Sequence, residues 1–221
     1  MAVEIELKAR LDDYESVRGR LFTMGEYCRA YLKSDTYWLP VQPVGQLTLP
    51  SGVRVRRESG VNAAGDAFGS ILVTYKTKEI TDGIEVNDEC EFTVSDALVF
   101  EELLNRLGLC KTHYKEKKGW AWLIAAQQQA VAQQAVAQRQ PPPPILAELS
   151  LVTGLGWFLE IEIQVAAANG KSATAASVGR QTVDESRRRL LALLEQLEIP
   201  PERIESRPYT LMLKEAEQSL N

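Results

Sequence analysis

The chain predicts an α+β protein: a closed or nearly closed antiparallel β-barrel of about eight strands with a polar tunnel inside and helices packed outside. Three observations lead there. Apolar and polar residues alternate with a period of two in six stretches, helical spacing is confined to three, and the strands carry like-charged pairs at i, i+2 that segregate strand by strand.

Taken in order, Val3 to Arg10 sets Val3, Ile5 and Leu7 against Glu4, Glu6 and Lys8. Tyr14 to Met24 follows with the helical spacing Val17, Leu21, Met24. Ser51 to Glu58 alternates Val53 and Val55 with Arg54 and Arg56, and Ser70 to Lys78 is β-branched and ends in Lys76 and Lys78. Gly45 to Pro50 and Gly60 to Gly69, rich in turn residues and poor in pattern, read as hairpin excursions. Ile84 to Val94 opposes Glu85, Asn87, Glu89 and Glu91 to Ile84, Val86, Cys90 and Phe92, with an irregularity at Asp88. Ser95 to Leu107 is a second helix, opened by Ser95-Asp96 as N-cap. Ile145 to Val152 and Trp157 to Val165 flank a Gly154-Leu155-Gly156 turn, and Thr182 to Leu197 is a leucine-rich third helix. Trp120, Trp122 and Trp157 are expected to pack.

A length of 221 residues fits a single domain, 1–221. Within it residues 125–144, AAQQQAVAQQAVAQRQPPPP, are low in complexity and read as an inserted surface loop. With 25 Lys and Arg against 30 Asp and Glu, the chain has no overall cationic field to hold nucleic acid. Three cysteines without CxxC spacing argue against a disulfide framework or a zinc site, so a reducing, cytoplasmic setting is expected. No stretch reaches the roughly 18 to 20 apolar residues of a membrane span, and the charged N-terminus is not a Sec-type signal. The single histidine, His113, makes histidine-based catalysis improbable and is assigned no role.

Carboxylates at i, i+2 repel unless a cation sits between them, and a hard divalent ion is the economical partner. Basic pairs on other strands suit a polyphosphate, because Arg and Lys in a closed cavity make charge-assisted bonds to several phosphoryl oxygens. An eight-stranded barrel encloses room for one such ligand.

The residues that follow this pattern resemble the CYTH superfamily, the triphosphate tunnel metalloenzymes. Glu4-Ile5-Glu6-Leu7-Lys8 matches its ExExK motif, Asp35-Thr36-Tyr37-Trp38 its second strand, Val53 to Arg57 its RxR strand and Leu72 to Lys76 its Thr-x-Lys strand. Glu89-Cys90-Glu91 is similar to its acidic fifth strand, Gly154 to Glu162 to its GLG-containing motif, and Arg207 to Leu213 to its closing RSYxxLL. Three positions depart: Ser150 stands where an Asp is usual, Asn87 where an Arg is common, and Lys115-Glu116-Lys117-Lys118 where a Lys-Arg pair is expected.

The resemblance implies a metal-dependent triphosphatase acting on an inorganic or organic triphosphate. Mg²⁺ or Mn²⁺ would be held by Glu4, Glu6, Glu160 and Glu162 with help from Glu148, and the triphosphate by Lys8, Arg54, Arg56, Lys76, Lys115 and Lys117. Glu4, Glu6 and Lys8 would be catalytic. The same resemblance leaves open a class IV-type adenylyl cyclase making cyclic AMP from ATP, a non-catalytic polyphosphate-binding module, and a homodimer. The expected partner is a small molecule bearing a triphosphate, not a nucleic acid or a membrane.

Overall fold

The structure, a computed structural model, describes residues 2–41, 52–81, 84–125, 142–166 and 180–219. Its eight strands are β1 (Ala2–Leu11), β2 (Glu26–Pro40), β3 (Val53–Asn62), β4 (Ala67–Thr81), β5 (Ile84–Thr93), β6 (Leu109–Ile124), β7 (Ile145–Val152) and β8 (Gly156–Ala166). They close a fully antiparallel barrel in the order β1-β5-β4-β3-β2-β6-β7-β8. Closure leaves no sheet edge, and it forces each strand to give one face to the lumen and one to the outside.

Here the usual polarity of a small barrel is reversed. Val3, Ile5, Leu7 and Ala9 of β1 are fully buried, yet they point outward, beneath helices α1 (Tyr14–Met24) and α3 (Arg180–Gln196). Leu149, Leu159, Ile161 and Ile163 of β7 and β8 join them, and Val17, Leu21, Leu190, Leu193, Leu194 and Leu197 close the layer from the helices. The core is therefore a shell between barrel and helices. Trp120, Trp122 and Trp157 pack in this shell, as expected. A smaller cluster of Trp38, Val55, Ala97 and Leu104 seats α2 (Ala97–Arg106) on β2 and β3. A third seats α4 (Tyr209–Gln218) through Tyr209 and Met212 against Val152 and Phe158.

Local signals set the boundaries. Asp13 caps α1 by accepting from the Ser16 N–H at 3.0 Å, and Asp96 caps α2 by accepting from the Leu98 and Val99 N–H groups. Gly154 and Gly156, both with positive φ, make the β7–β8 turn that only glycine adopts without strain.

Two departures from the sequence reading are instructive. Gly60 to Gly69 is mostly strand: β3 runs to Asn62 and β4 restarts at Ala67. The turn between them is held by Asn62 Oδ1, which accepts from the Ala64 and Asp66 N–H groups. The closing Arg207 to Leu213 segment begins a helix, α4, which packs against the barrel. Gly45 to Pro50 and most of the 125–144 segment lie outside the described residues.

Candidate functional site

The inward faces of all eight strands enclose a cavity of roughly 690 Å³. Its wall divides by charge around the barrel. The consecutive strands β7, β8, β1 and β5 contribute Glu148, Glu160, Glu162, Glu4, Glu6, Glu85 and Glu91. From the other side β3, β2 and β6 contribute Arg54, Arg56, Arg29, Lys33, Lys115 and Lys117. Lys8 is the cation within the acidic half, and Asp35 and Glu58 are the carboxylates within the basic half.

Register explains the acidic concentration. Glu6 stands directly opposite Glu162 on β8 and opposite Glu85 on β5, so three carboxylates form a row across neighbouring strands, with Glu4 two residues away on the same face. Facing residues in such a ladder have Cβ atoms about 5 Å apart, a separation at which like charges are mutually destabilising. Asn87, opposite Glu4, donates from Nδ2 to Glu6 Oε2 at 3.4 Å, and its buried Oδ1 has no hydrogen-bond donor among the described residues. The donor set is all oxygen, which suits a hard divalent cation. Among the described residues, no three His, Cys, Asp or Glu side chains converge into a ready coordination sphere.

Glu148, Glu160 and Asp35 pair with cations. Glu148 Oε1 accepts from Lys33 Nζ at 2.5 Å and from Arg29 Nη2 at 3.2 Å, while its Oε2 accepts from Lys117 Nζ at 3.1 Å. Lys117 also donates to Glu160. Thus two of the five carboxylates expected to bind metal, Glu148 and Glu160, form ion pairs with lysines. The reason is geometric: β7 adjoins β6, so the acidic half meets the basic half along this seam. At the centre of the basic half, buried Asp35 accepts from Arg56 Nε and Nη2 at 2.7 and 2.9 Å and pairs with Lys115 Nζ at 2.9 Å. Arg54 donates to Thr74 Oγ1 at 2.8 Å, and Thr74 donates to Glu91.

These contacts shift the titrations. Burial pushes the Asp35 carboxyl up, but Arg56 and Lys115 outweigh it and hold the group well below the usual carboxylate range. Burial likewise raises Glu148 and Glu160, yet Lys33 and Lys117 bring Glu148 well down, and Lys117 and Lys115 bring Glu160 to about 2. For Lys33 burial wins over Glu148, with Lys117 and Arg56 adding repulsion, and its ammonium falls to about 8.

One end of the cavity is lined by Pro208, Tyr209 and Thr210 at the start of α4. Lys8 Nζ donates to the Arg207 carbonyl at 2.7 Å and sits 4.5 Å from the centroid of the Tyr209 ring, and Lys115 Nζ sits 4.8 Å from the same centroid. Farther down the basic half, Tyr31 faces Gly60 on β3 and Gly119 on β6. A Cβ at Gly119 would meet the Leu149 carbonyl at 2.0 Å, so glycine permits the close approach of β6 and β7 there.

Of the residues expected to form the site, Glu4, Glu6, Lys8, Arg54, Arg56, Lys115, Lys117, Glu148, Glu160 and Glu162 all line this one cavity. Lys76 lies in β4 opposite Glu89 by register, its side chain outside the described set. Sequence reasoning missed Arg29, Lys33 and Glu58 and gave Asp35 no role. The signal was present in the i, i+2 series Arg29, Tyr31, Lys33, Asp35, Tyr37, which all face inward from β2. His113, left without a role, also lines the cavity.

No protein-family model matches the chain, and no curated protein matches it in sequence. Solved structures do. The PH1819 protein of Pyrococcus horikoshii OT3 is 20% identical with a TM-score of 0.66, covering 96% of this chain and 99% of that one. A Vibrio parahaemolyticus protein described as a candidate adenylate cyclase is 17% identical with a TM-score of 0.63, covering 97% of each chain. A candidate adenylyl cyclase from Hippeastrum, described as having a dominant triphosphatase activity, is 12% identical with a TM-score of 0.55, covering 97% and 96%. At these identities the likeness shows a shared fold: the chain has the barrel of these proteins over nearly its whole length. No helix among the described residues is long and apolar enough to cross a membrane.

Proposed function

We propose that the protein is a single-domain, divalent-metal-dependent hydrolase of a triphosphate, inorganic or organic, that binds its substrate inside the barrel. The observation that carries this reading is the division of one cavity, inside a closed barrel, into an acidic half and a basic half. A polyphosphate with its counter-cation is the ligand whose charge complements both at once. Glu4, Glu6 and Glu162 would hold Mg²⁺ or Mn²⁺, with Glu85 beside them and Glu148 and Glu160 at the seam. When bound, the ion neutralises phosphoryl charge and makes water more acidic, which removes the need for a histidine base. Arg54, Arg56, Lys115 and Lys117, with Lys8 and Lys76, would hold the phosphoryl oxygens in line for displacement, where fixed cations in a water-poor lumen favour the charge that develops.

A second reading, a binding module that keeps the ligand without turnover, is favoured by the pairing of Glu148 and Glu160, two of the expected metal ligands, with Lys33 and Lys117. A phosphate-release screen over inorganic triphosphate, thiamine triphosphate and ATP with Mg²⁺ or Mn²⁺ separates the two, and a parallel cyclic AMP assay reads out cyclase chemistry. Glu6→Gln should abolish metal-dependent turnover in a folded protein. Activity within twofold of wild type at matched metal concentration would remove Glu6 from the site.

A further inference from the structure

We infer that Asp35 is a positioning residue that holds Arg56 and Lys115 as one preformed anion-binding pair. This deepens the triphosphate reading and rests on it. Asp35 occupies the centre of three adjacent strands, standing directly opposite Arg56 on β3 and Lys115 on β6. It is fully buried, and its two oxygens take the Arg56 Nε and Nη2 edge at 2.7 and 2.9 Å and the Lys115 ammonium at 2.9 Å.

The donor arithmetic gives the arrangement its direction. A guanidinium carries five N–H donors in a rigid fork, and Asp35 takes its Nε–Nη2 edge. What remains is a second edge on a planar group that can no longer swing. Lys115 has three donors, and its ammonium lies 2.9 Å from Asp35 Oδ2. Two cations share one carboxylate, so the trio is net positive, and both cations line the cavity. Immobilising two long side chains before ligand arrives removes an ordering cost that binding would otherwise carry. Stability alone does not account for the trio, because buried ion pairs are often no more stabilising than apolar residues of the same volume.

The test is a double-mutant cycle on binding of inorganic triphosphate by calorimetry, with Asp35→Asn, Arg56→Ala and the double variant. Asp35→Asn is expected to weaken binding at least tenfold. Because Asp35 acts through Arg56, adding Arg56→Ala in the Asp35→Asn background should cost less than half, on a logarithmic scale, of what it costs alone. Losses that multiply, or binding by Asp35→Asn within twofold of wild type, would overturn the assignment. If Asp35→Asn does not fold, Asp35→Glu, which keeps the charge and moves the carboxylate by one methylene, carries the same cycle with the same two outcomes. Failure of the wild-type protein to bind triphosphate is a different result. It would overturn the functional reading, and the assignment with it.

Discussion

Lys33 Nζ lies 2.5 Å from Glu148 Oε1 in the wall of the cavity, yet its ammonium titrates at about 8. A carboxylate at that distance would ordinarily raise a lysine. It fails to here because burial is the larger effect and because Lys117 and Arg56 repel the ammonium, which offsets the pull of Glu148 and of Glu58 at 3.9 Å.

Affinity for a polyanion should therefore fall as pH rises through about 8, where Lys33 loses its proton while the arginines keep theirs. Lys33→Arg should abolish this alkaline limb, leaving inorganic triphosphate affinity flat to within about twofold across the same range. Calorimetry at a series of pH values checks it, and an unchanged limb in Lys33→Arg would assign the titration to another group. Stability moves in the opposite sense. Between about 8 and the ordinary 10.5 the unfolded chain still holds the Lys33 proton and the folded one does not, so this group adds stability as pH rises.

Acid should loosen the barrel. Asp35, Glu148 and Glu160 all titrate below their ordinary values because cations outweigh burial, so each contributes stability that is full above its unfolded value and lost as pH falls. For Glu160 the window runs from 4.5 down to about 2, a difference on the order of 3 kcal/mol. Denaturant unfolding should show stability dropping steadily through that window, with a shallower drop in Glu160→Gln. A flat profile would mean that these carboxylates are not charged partners in the folded state.

The outline of the fold was legible because β1 and β8 oppose an apolar set to a largely charged one, and burial of the apolar face under helices satisfies both. β2 and β6 were harder to see. The outward residues of β6 include Tyr114, Glu116 and Lys118 beside Trp120 and Trp122, because part of that strand has no helix over it, so the contrast of faces is blurred. β2 carries Tyr31 and Tyr37 on its lumenal face among the charges. Which charges line the cavity was legible from the alternation, since every charged residue placed on a polar face whose side chain is described does line it. Pairing was not. Which carboxylates meet lysines depends on β7 adjoining β6 and on Asp35 standing opposite both Arg56 and Lys115, and register between distant strands leaves no mark in a single sequence.

The 125–144 segment should be dispensable for folding. Ile124 at the end of β6 pairs directly with Ile145 at the start of β7, so a short turn can join the two strands. Replacing residues 127–143 with such a turn should change the melting temperature by less than roughly 10 °C, since loop length enters closure entropy only logarithmically. A larger drop would show that the segment contributes to the core.

Arg54 and Arg56, two residues apart on one face of β3, should separate binding from stability. Arg56 supplies two of the hydrogen bonds that satisfy buried Asp35, so Arg56→Ala leaves that carboxylate with Lys115 as its ion-pair partner. Breaking a buried pair from one side typically costs about 3 to 5 kcal/mol, and urea unfolding should register a loss of that order. Arg54 is less enclosed, bonded to the Thr74 hydroxyl and 3.7 Å from Glu91, and Arg54→Ala should cost no more than about 1 kcal/mol. Turnover should respond differently. Each guanidinium lines the lumen, where a fixed cation facing developing phosphoryl charge is worth on the order of 2 to 4 kcal/mol, so both variants should lose roughly 30- to 1000-fold in kcat/KM for a triphosphate. The loss should be smaller for p-nitrophenyl phosphate, if that ester is turned over, because it offers one phosphoryl group where the proposed substrate offers three. If Arg54→Ala and Arg56→Ala both keep triphosphate kcat/KM within about twofold while Glu6→Gln is inactive, the carboxylates stand as the reactive side of the cavity and the basic half does not hold the substrate.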